Sequence, residues 1–373
     1  MKIAFVSMIL GYPWGGADAL WTLAAEEAAE RGDQLLLVVS DLVSPHQRIR
    51  ALAERGASIH IRTAKFPSRL KRVWRKAARL AKRPDPLLAK VRNFQPDLVV
   101  FSCGGTYDPI LEPALIDWLR ASGTCYRIIA NLQYEHPSMP EADRLRAREI
   151  LVQAERIFCV SPRNLAITRR HLMHPLPQAE CIHGCMVHNP MTSQAETLWA
   201  ESPPWTLASI ARLEPIKGID LLLAALAAGM AGVPDWRLNI YGRGPQREYL
   251  EQCAIQFGLS RQVHFPGFVP NMDTIWSENH ILVSSSLDEG VPITLPEAML
   301  RGRSVIATRV GGADEWIDHG RTGWVCPAPN VELLASTLRE AWEQRQHWRE
   351  MGAAARERAH SLYRPDDYKR IVA

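Results

Sequence analysis

Residues 2–39 read KIAFVSMILGYPWGGADALWTLAAEEAAERGDQLLLVV. Ile3 to Met8 is an apolar run with no polar alternation, as expected of a strand buried on both faces. Gly15-Gly16 makes a turn. A helical stretch follows to Arg31 and is closed by Gly32. Leu35 to Val39 is a second apolar strand. Two such strands joined through a helix run parallel, and a parallel sheet must be covered on both sides.

The same alternation continues outward. Ser44-Pro45-His46-Gln47 reads as a capping box with proline at the first helical position. Further strands are expected near Ile59, at Leu98 to Phe101, at Arg127 to Ala130 and at Ile157 to Val160. Thr192 to Pro204 (TSQAETLWAESPP) has no strand pattern and ends in two prolines. A second series then begins: Thr206 to Ala211, Leu238 to Tyr241, Val263 to Phe265, Ile281 to Ser284 and Val305 to Thr308, each followed by a helix. The fold class is therefore α/β, with two doubly wound, Rossmann-like parallel-sheet domains facing across a cleft. The expected boundaries are 1–192, 193–355 and a C-terminal helix, 356–373, packing back on the first domain. In such sheets ligands lie outside the carboxyl ends of the strands, and the cleft is the default site.

Composition agrees. The chain has 373 residues, 47% apolar and 23% charged, which is the balance of a globular protein. A net charge of +4 excludes a general polyanion binder, and nucleic acid is not an expected partner. Seven cysteines at irregular spacing point to a reducing compartment, so the expected location is cytoplasmic. No apolar run reaches the roughly 18–20 residues of a membrane span. The opening strand is too short and too soon broken to be a secretory signal.

Chemistry concentrates in the second half. In SLDEGVPITLPEAMLRG, starting at Ser286, Glu289 and Glu297 flank a turn holding a glycine and two prolines. Thr294 is the expected N-cap of the next helix, with Glu297 completing a capping box. Glu289 has no such role and otherwise reads as a loop carboxylate. The free N–H groups near Ile293 and Thr294 suit a phosphate. In ASIARLEPIKG, Arg212 ends a strand and Lys217 precedes a helix, forming either an anion clamp or two surface cations. Gly242-Arg243-Gly244-Pro245 allows close approach of backbone to a ligand. Gly15-Gly16 is not G-x-G-x-x-G, and no acidic residue ends the second strand, so a dinucleotide cofactor is not expected.

Taken together, the Gly15-Gly16 turn, ARLEPIKG, NIYGRGP, VHFPGFV and DEGVPITLPEAMLRGRSVIATRVGGADEWIDHGRTGWV resemble the retaining glycosyltransferases of family 4, with the GT-B fold and an E-x7-E motif. The resemblance covers almost all of the second domain, and only the opening turn and βα layout of the first. It implies that Arg212 and Lys217 hold the donor diphosphate, Glu289 the donor sugar and Glu297 the ribose. It also implies that Gly290, Val291, Ile293 and Thr294 supply N–H groups to phosphate and sugar. Gly242 and Arg243 would line the donor site, Val269 would meet the base, and Gly16 would approach the phosphate from the other domain. Many members carry a histidine after a first-domain strand; here Gln133 stands near that place and His136 lies three residues on, as acceptor-side candidates.

The function expected is transfer of a sugar from a UDP- or GDP-sugar to a glycan or lipid-linked glycan acceptor, in cell-surface polysaccharide synthesis. Configuration would be retained, with Glu289, Arg212 and Lys217 as catalytic groups. No cofactor is expected and no metal: Cys181-Ile-His183-Gly-Cys185 lacks a common zinc spacing, and there is no D-x-D. A non-hydrolysing nucleotide-sugar epimerase and a non-catalytic nucleotide-sugar-binding protein are the alternatives. The run from Lys65 to Arg83 holds nine Lys or Arg and no acid, with apolar residues at helical spacing. It reads as a solvated surface helix or as an interfacial one drawn to anionic lipid; nucleic acid is a third reading, which no aromatic interleaving supports. Lipid-linked acceptors in the family favour contact with the cytoplasmic membrane face.

Overall fold

In the computed structural model, residues 1–11, 14–63, 86–136, 139–182, 199, 201 and 203–373 are described. The chain forms two compact units, one of Met1–Cys185 with Arg364–Ala373 and one of Met186–Tyr363. The basic run from Lys65 to Arg83, and His183 with Cys185, lie outside the described residues.

The first unit is a seven-stranded sheet of β1 (Lys2–Ser7), β2 (Gln34–Ser40), β3 (Ser58–Arg62), β4 (Leu98–Gly105), β5 (Cys125–Leu132), β6 (Arg156–Cys159) and β7 (Ala179–Cys181). The order is β3-β2-β1-β4-β5-β6-β7, and the paired strands are parallel. Its helices are α1 (Gly16–Glu30), α2 (Gln47–Glu54), α3 (Pro86–Phe94), α4 (Pro113–Ser122), α5 (Glu141–Gln153) and α6 (Pro162–Leu172). The apolar runs behave as their composition requires. Ile3, Ala4, Val6, Leu36, Leu37 and Val38 are wholly buried, each large side chain contributing about 1.5–3 kcal/mol.

One cap differs from expectation. Helix α2 starts after His46, not Ser44, and the His46 imidazole Nδ1 accepts the Arg48 N–H at 3.3 Å. The segment from Val43 to His46 is spent on backbone turns back to Ser40 and Val43.

The second unit has β8 (Trp205–Ile210), β9 (Trp236–Tyr241), β10 (Val263–Gly267), β11 (Ile281–Ser284), β12 (Ser304–Thr308) and β13 (Gly323–Cys326), in the order β10-β9-β8-β11-β12-β13. Its helices are α7 (Ile219–Gly229), α8 (Arg247–Gln256), α9 (Met272–Glu278), α10 (Thr294–Leu300), α11 (Ala313–Trp316), α12 (Val331–Glu343) and α13 (Trp348–Leu362). Strand β13, Gly-Trp-Val-Cys, is too short for a periodicity reading. It exists because β12 offers it an edge to pair with, from Val305 with Gly323 to Thr308 with Cys326.

In both sheets the strand order reverses once, between β1 and β4 and between β8 and β11. These switch points are where crevices open at the strands' carboxyl ends.

Residues 356–362 finish α13 inside the second unit, and 364–373 lie in the first. That tail is strapped down by buried Arg127 of β5. Its guanidinium donates to the carbonyls of Ile371 (2.8 Å) and Ala373 (2.9 Å) and to Glu155 (2.8 Å). Arg31 adds a bond to the Val372 carbonyl at 3.0 Å. Arg127→Ala strands these acceptors and is expected to cost roughly 2–3 kcal/mol, read as a lower urea midpoint. An unchanged midpoint would show that the tail contributes nothing to the unit.

Candidate active site

The second switch point gathers most of the expected residues. After β8 the chain passes Arg212 and Lys217 and enters α7 through Gly218, whose φ of +56° is left-handed. A Cβ there would overlap the Ser285 carbonyl oxygen, so glycine is needed on both counts. The loops after β8 and β11 are thereby zipped together. Leu287 N–H donates to the Ile216 carbonyl at 2.8 Å and Ser285 Oγ to the Lys217 carbonyl at 3.1 Å.

This zipper places Lys217 Nζ on Glu289 Oε1. Both side chains are largely buried, at 17% and 16% exposure. Ser286 Oγ donates to the same oxygen at 3.0 Å, and Thr308 Oγ1 holds the Ser286 carbonyl at 2.6 Å. Arg212 pairs with Glu214 at 2.6 Å and keeps 39% exposure. An anion arriving here meets a half-open guanidinium and an ammonium already shared with a carboxylate.

Thr294 does not cap α10. Ile293 holds that position, and Thr294 is the first helical residue. Freed from capping, the Glu297 carboxyl is 3% exposed, and its Oε1 has no partner among the described residues. Burial pushes it up to about 7, against the opposing charge of Arg301. A buried carboxyl oxygen without a donor is unfavourable by itself, and is what a ligand hydroxyl would relieve. Helix α10 spans only seven residues, so the anion attraction of this site rests on Arg212 and Lys217 rather than on a helix dipole.

Gly242 has a different reason from the one expected. Its φ is +135°, and a Cβ would overlap the Ala211 carbonyl oxygen. The room it leaves is filled by the protein's own loop. Gly244 does the same for Leu213. Arg243 is exposed, with its guanidinium 5.7 Å from the Phe268 ring centroid. Val269 is partly buried on the core beneath α9. Gly290 is buried, and Val291, Ile293 and Thr294 are half-buried.

Residues 194–358 match the family of glycosyl transferases group 1. The match covers less than half of the chain, and over it the chain is similar to that family.

Among curated relatives, the putative colanic acid biosynthesis glycosyltransferase WcaL of Salmonella typhimurium is 29% identical over 149 residues, 38% of this chain and 37% of its own. A GDP-mannose-dependent alpha-(1-6)-phosphatidylinositol monomannoside mannosyltransferase of Mycobacterium tuberculosis is 33% identical over 172 residues, 43% of this chain and 44% of its own. The chain thus spans about two-fifths of the length of these relatives. A crystal structure of Anabaena HepE in complex with UDP superposes with a TM-score of 0.75 at 18% identity, covering 100% of this chain and 98% of that one. Sucrose-phosphate synthase from Thermosynechococcus elongatus gives 0.72 at 18%, covering 100% and 97%. At such identities the likeness shows the fold: two Rossmann-like parallel-sheet domains of the GT-B type.

Within the group 1 region the structure explains a glycine that motif reading leaves unassigned. Gly311 has φ +53°, and a Cβ on it would overlap the carbonyl oxygens of Glu289 and Gly290. Gly312 N–H donates to the Gly290 carbonyl at 2.8 Å. The pair props the Glu289 loop from behind. Gly311→Ala is expected to displace that loop and to lower stability by about 1–3 kcal/mol, read as a lower melting temperature. An unchanged melting temperature would refute the bracing role.

In the first unit, Gly15 caps α1 and Gly16 is its first residue. Asp18 holds that turn, its two oxygens accepting the Gly15 N–H at 3.1 Å and the Trp21 indole N–H at 3.3 Å. Burial raises Asp18 to about 6. The signal was present three residues after Gly15, at a capping spacing. Of the acceptor-side candidates, His136 is exposed and Gln133 is 3% exposed. Gln133 Nε2 donates to His171 Nδ1 at 3.0 Å, while His171 Nε2–H donates to the Glu135 carbonyl at 2.9 Å. Tyr107 Oη lies 3.4 Å from the same amide nitrogen. Tyr107 and His171 carry no sequence signal, because they meet Gln133 only through the fold.

Among the described residues no group of three His, Cys, Asp or Glu is arranged to hold a metal ion. None of the helices there is long and apolar enough to cross a membrane.

Proposed function

We propose that the chain is a retaining, metal-independent glycosyltransferase, moving a sugar from a UDP- or GDP-sugar to a glycan or lipid-linked glycan during cell-surface polysaccharide synthesis. The observation that carries this reading is the Lys217–Glu289 pair at the β8/β11 switch point, together with the buried Glu297 carboxyl, whose Oε1 has no partner among the described residues. The HepE complexes with UDP and UDP-glucose and the GDP-mannose-dependent mycobacterial relative support a nucleotide sugar as donor.

Arg212 and Lys217 face the diphosphate and stabilise the charge that grows on it as the glycosidic bond opens. When the diphosphate draws Lys217, the Glu289 carboxylate is released to accept hydrogen bonds from sugar hydroxyls. Glu297 accepts from ribose, which supplies the missing donor to its buried oxygen. The leaving phosphate takes the acceptor proton on the same face of the sugar. The acceptor is assigned to the first unit, Met1–Cys185 with Arg364–Ala373, with membrane contact through the run from Lys65 to Arg83.

A thermal-shift panel of UDP- and GDP-sugars tests the reading. A donor at a hundred times its Kd stabilises by about 2.7 kcal/mol. No shift with any of them would exclude the donor assignment, and a mass-spectrometric glycosyl-enzyme adduct would exclude same-face displacement.

A further inference from the structure

The first sheet has its own switch point, between β1 and β4, and a carboxyl group stands on it. Strand β4 ends in Cys103-Gly104-Gly105, and Asp108 follows three residues later. The Asp108 carboxyl folds back on the strand end. Its Oδ2 accepts the Gly105 N–H at 3.0 Å, and Gly104 N–H also bonds the carboxyl. A Cβ on Gly105 would come within 3.3 Å of Asp108 Oδ1, and one on Gly104 would be in ordinary contact with Oδ2 at 3.5 Å and Ile9 at 3.4 Å. Ile9 belongs to the loop leaving β1, so the carboxyl lies where the crevice between β1 and β4 opens.

Asp18 provides a contrast at the same end of the same sheet. It is 1% exposed and both of its oxygens are used, which makes it a structural carboxyl. Asp108 is half-buried, and among the described residues it receives only the two glycine N–H bonds. Burial outweighs those bonds and raises it to about 6. Among the described residues no cation compensates it. The titratable groups around it are the Cys103 thiol, which burial and the Asp108 charge push up, and the Tyr107 phenol, also raised by burial. Both remain protonated near neutrality. Arg144 of α5 acts on Tyr107 and pairs with Glu141. A carboxylate in this crevice, with neither metal-ligand partners nor a compensating cation among the described residues, suits an uncharged hydroxyl donor.

We propose that Asp108 binds a hydroxyl of the acceptor sugar, in a subsite formed with Gly104, Gly105 and Ile9. This rests on the transferase reading above, and deepens it by naming the acceptor contact.

The test uses the full chain, the nucleotide sugar that most raises its melting temperature, and p-nitrophenyl hexosides as probe acceptors. For Asp108→Asn the KM for the hexoside is expected to rise at least tenfold, with kcat and the donor-induced melting shift unchanged within twofold. In the wild type the hexoside KM should rise as pH falls through 6, while the donor KM stays flat. Asp108→Asn should lose that inflection. A hexoside KM within twofold of wild type in the variant overturns the proposal. So does a flat wild-type profile between pH 5 and 7.5, which needs no variant to fold, and so does the absence of transfer to every hexoside when a donor shift is present. Loss of the donor shift itself would instead strike the transferase reading.

Discussion

Lys217→Ala is expected to lower kcat by about 10²–10³, the usual cost of removing one group that stabilises developing charge. It should also destabilise the second unit by up to about 3 kcal/mol, because Glu289 is left mostly buried and unpaired. Two effects from one substitution are separable. In Lys217→Ala with Glu289→Ala, no buried charge is stranded, so most of the lost stability should return. Activity should not return, since neither the proposed phosphate contact nor the proposed sugar contact is rebuilt. Melting curves and steady-state kinetics on the two singles and the double decide this. Recovery of activity in the double would mean that the pair serves only the fold.

The second large effect belongs to Glu297. Its carboxyl titrates near 4.5 in the unfolded chain and at about 7 in the fold. Between those values the folded state keeps a proton that the unfolded state has lost. Stability therefore falls as pH rises from 4.5 to 7, and the full loss persists above. Its size is about 3 kcal/mol at 1.36 kcal/mol per pH unit. Glu297→Gln has no charge to desolvate. It should melt about 6–10 °C above wild type at pH 8 and level with it at pH 4.5. Donor binding should move the other way, weakening roughly tenfold or more as a charge-assisted acceptor is lost. A variant both stabler and poorer at binding is the mark of a functional carboxyl. Equal melting at pH 8 would dismiss the buried charge, and undiminished donor affinity would dismiss the ribose contact.

The Glu289–Glu297 stretch shows how far residue patterns reach. That two carboxylates bracket one tight turn after a strand is plain from the letters. Which one is paired is not. Lys217 lies 72 positions from Glu289, and only the stacking of β8 beside β11 brings them together. The expected capping box failed for a related reason. Thr294 and Glu297 have the right spacing, but Pro292 and Ile293 already turn the backbone, so Ile293 takes the N-cap. Spacing cannot tell a cap from a buried acceptor, because the difference is one of solvent access. Gly242 is similar: its pattern announces close approach, and only the fold shows that the approaching group is the Ala211 carbonyl.

Local periodicity and turn residues were enough to determine two parallel sheets and the loops where cations and carboxylates gather. These depend on neighbours within a few residues, where backbone geometry and hydrophobic burial act directly. The protonation of Glu297, the partnering of Lys217, the clasp of His171 on Gln133 across 38 positions and the seat of Asp108 were decided by tertiary structure alone. Each depends on dielectric surroundings or on the approach of distant chain segments, and neither is written in residue order.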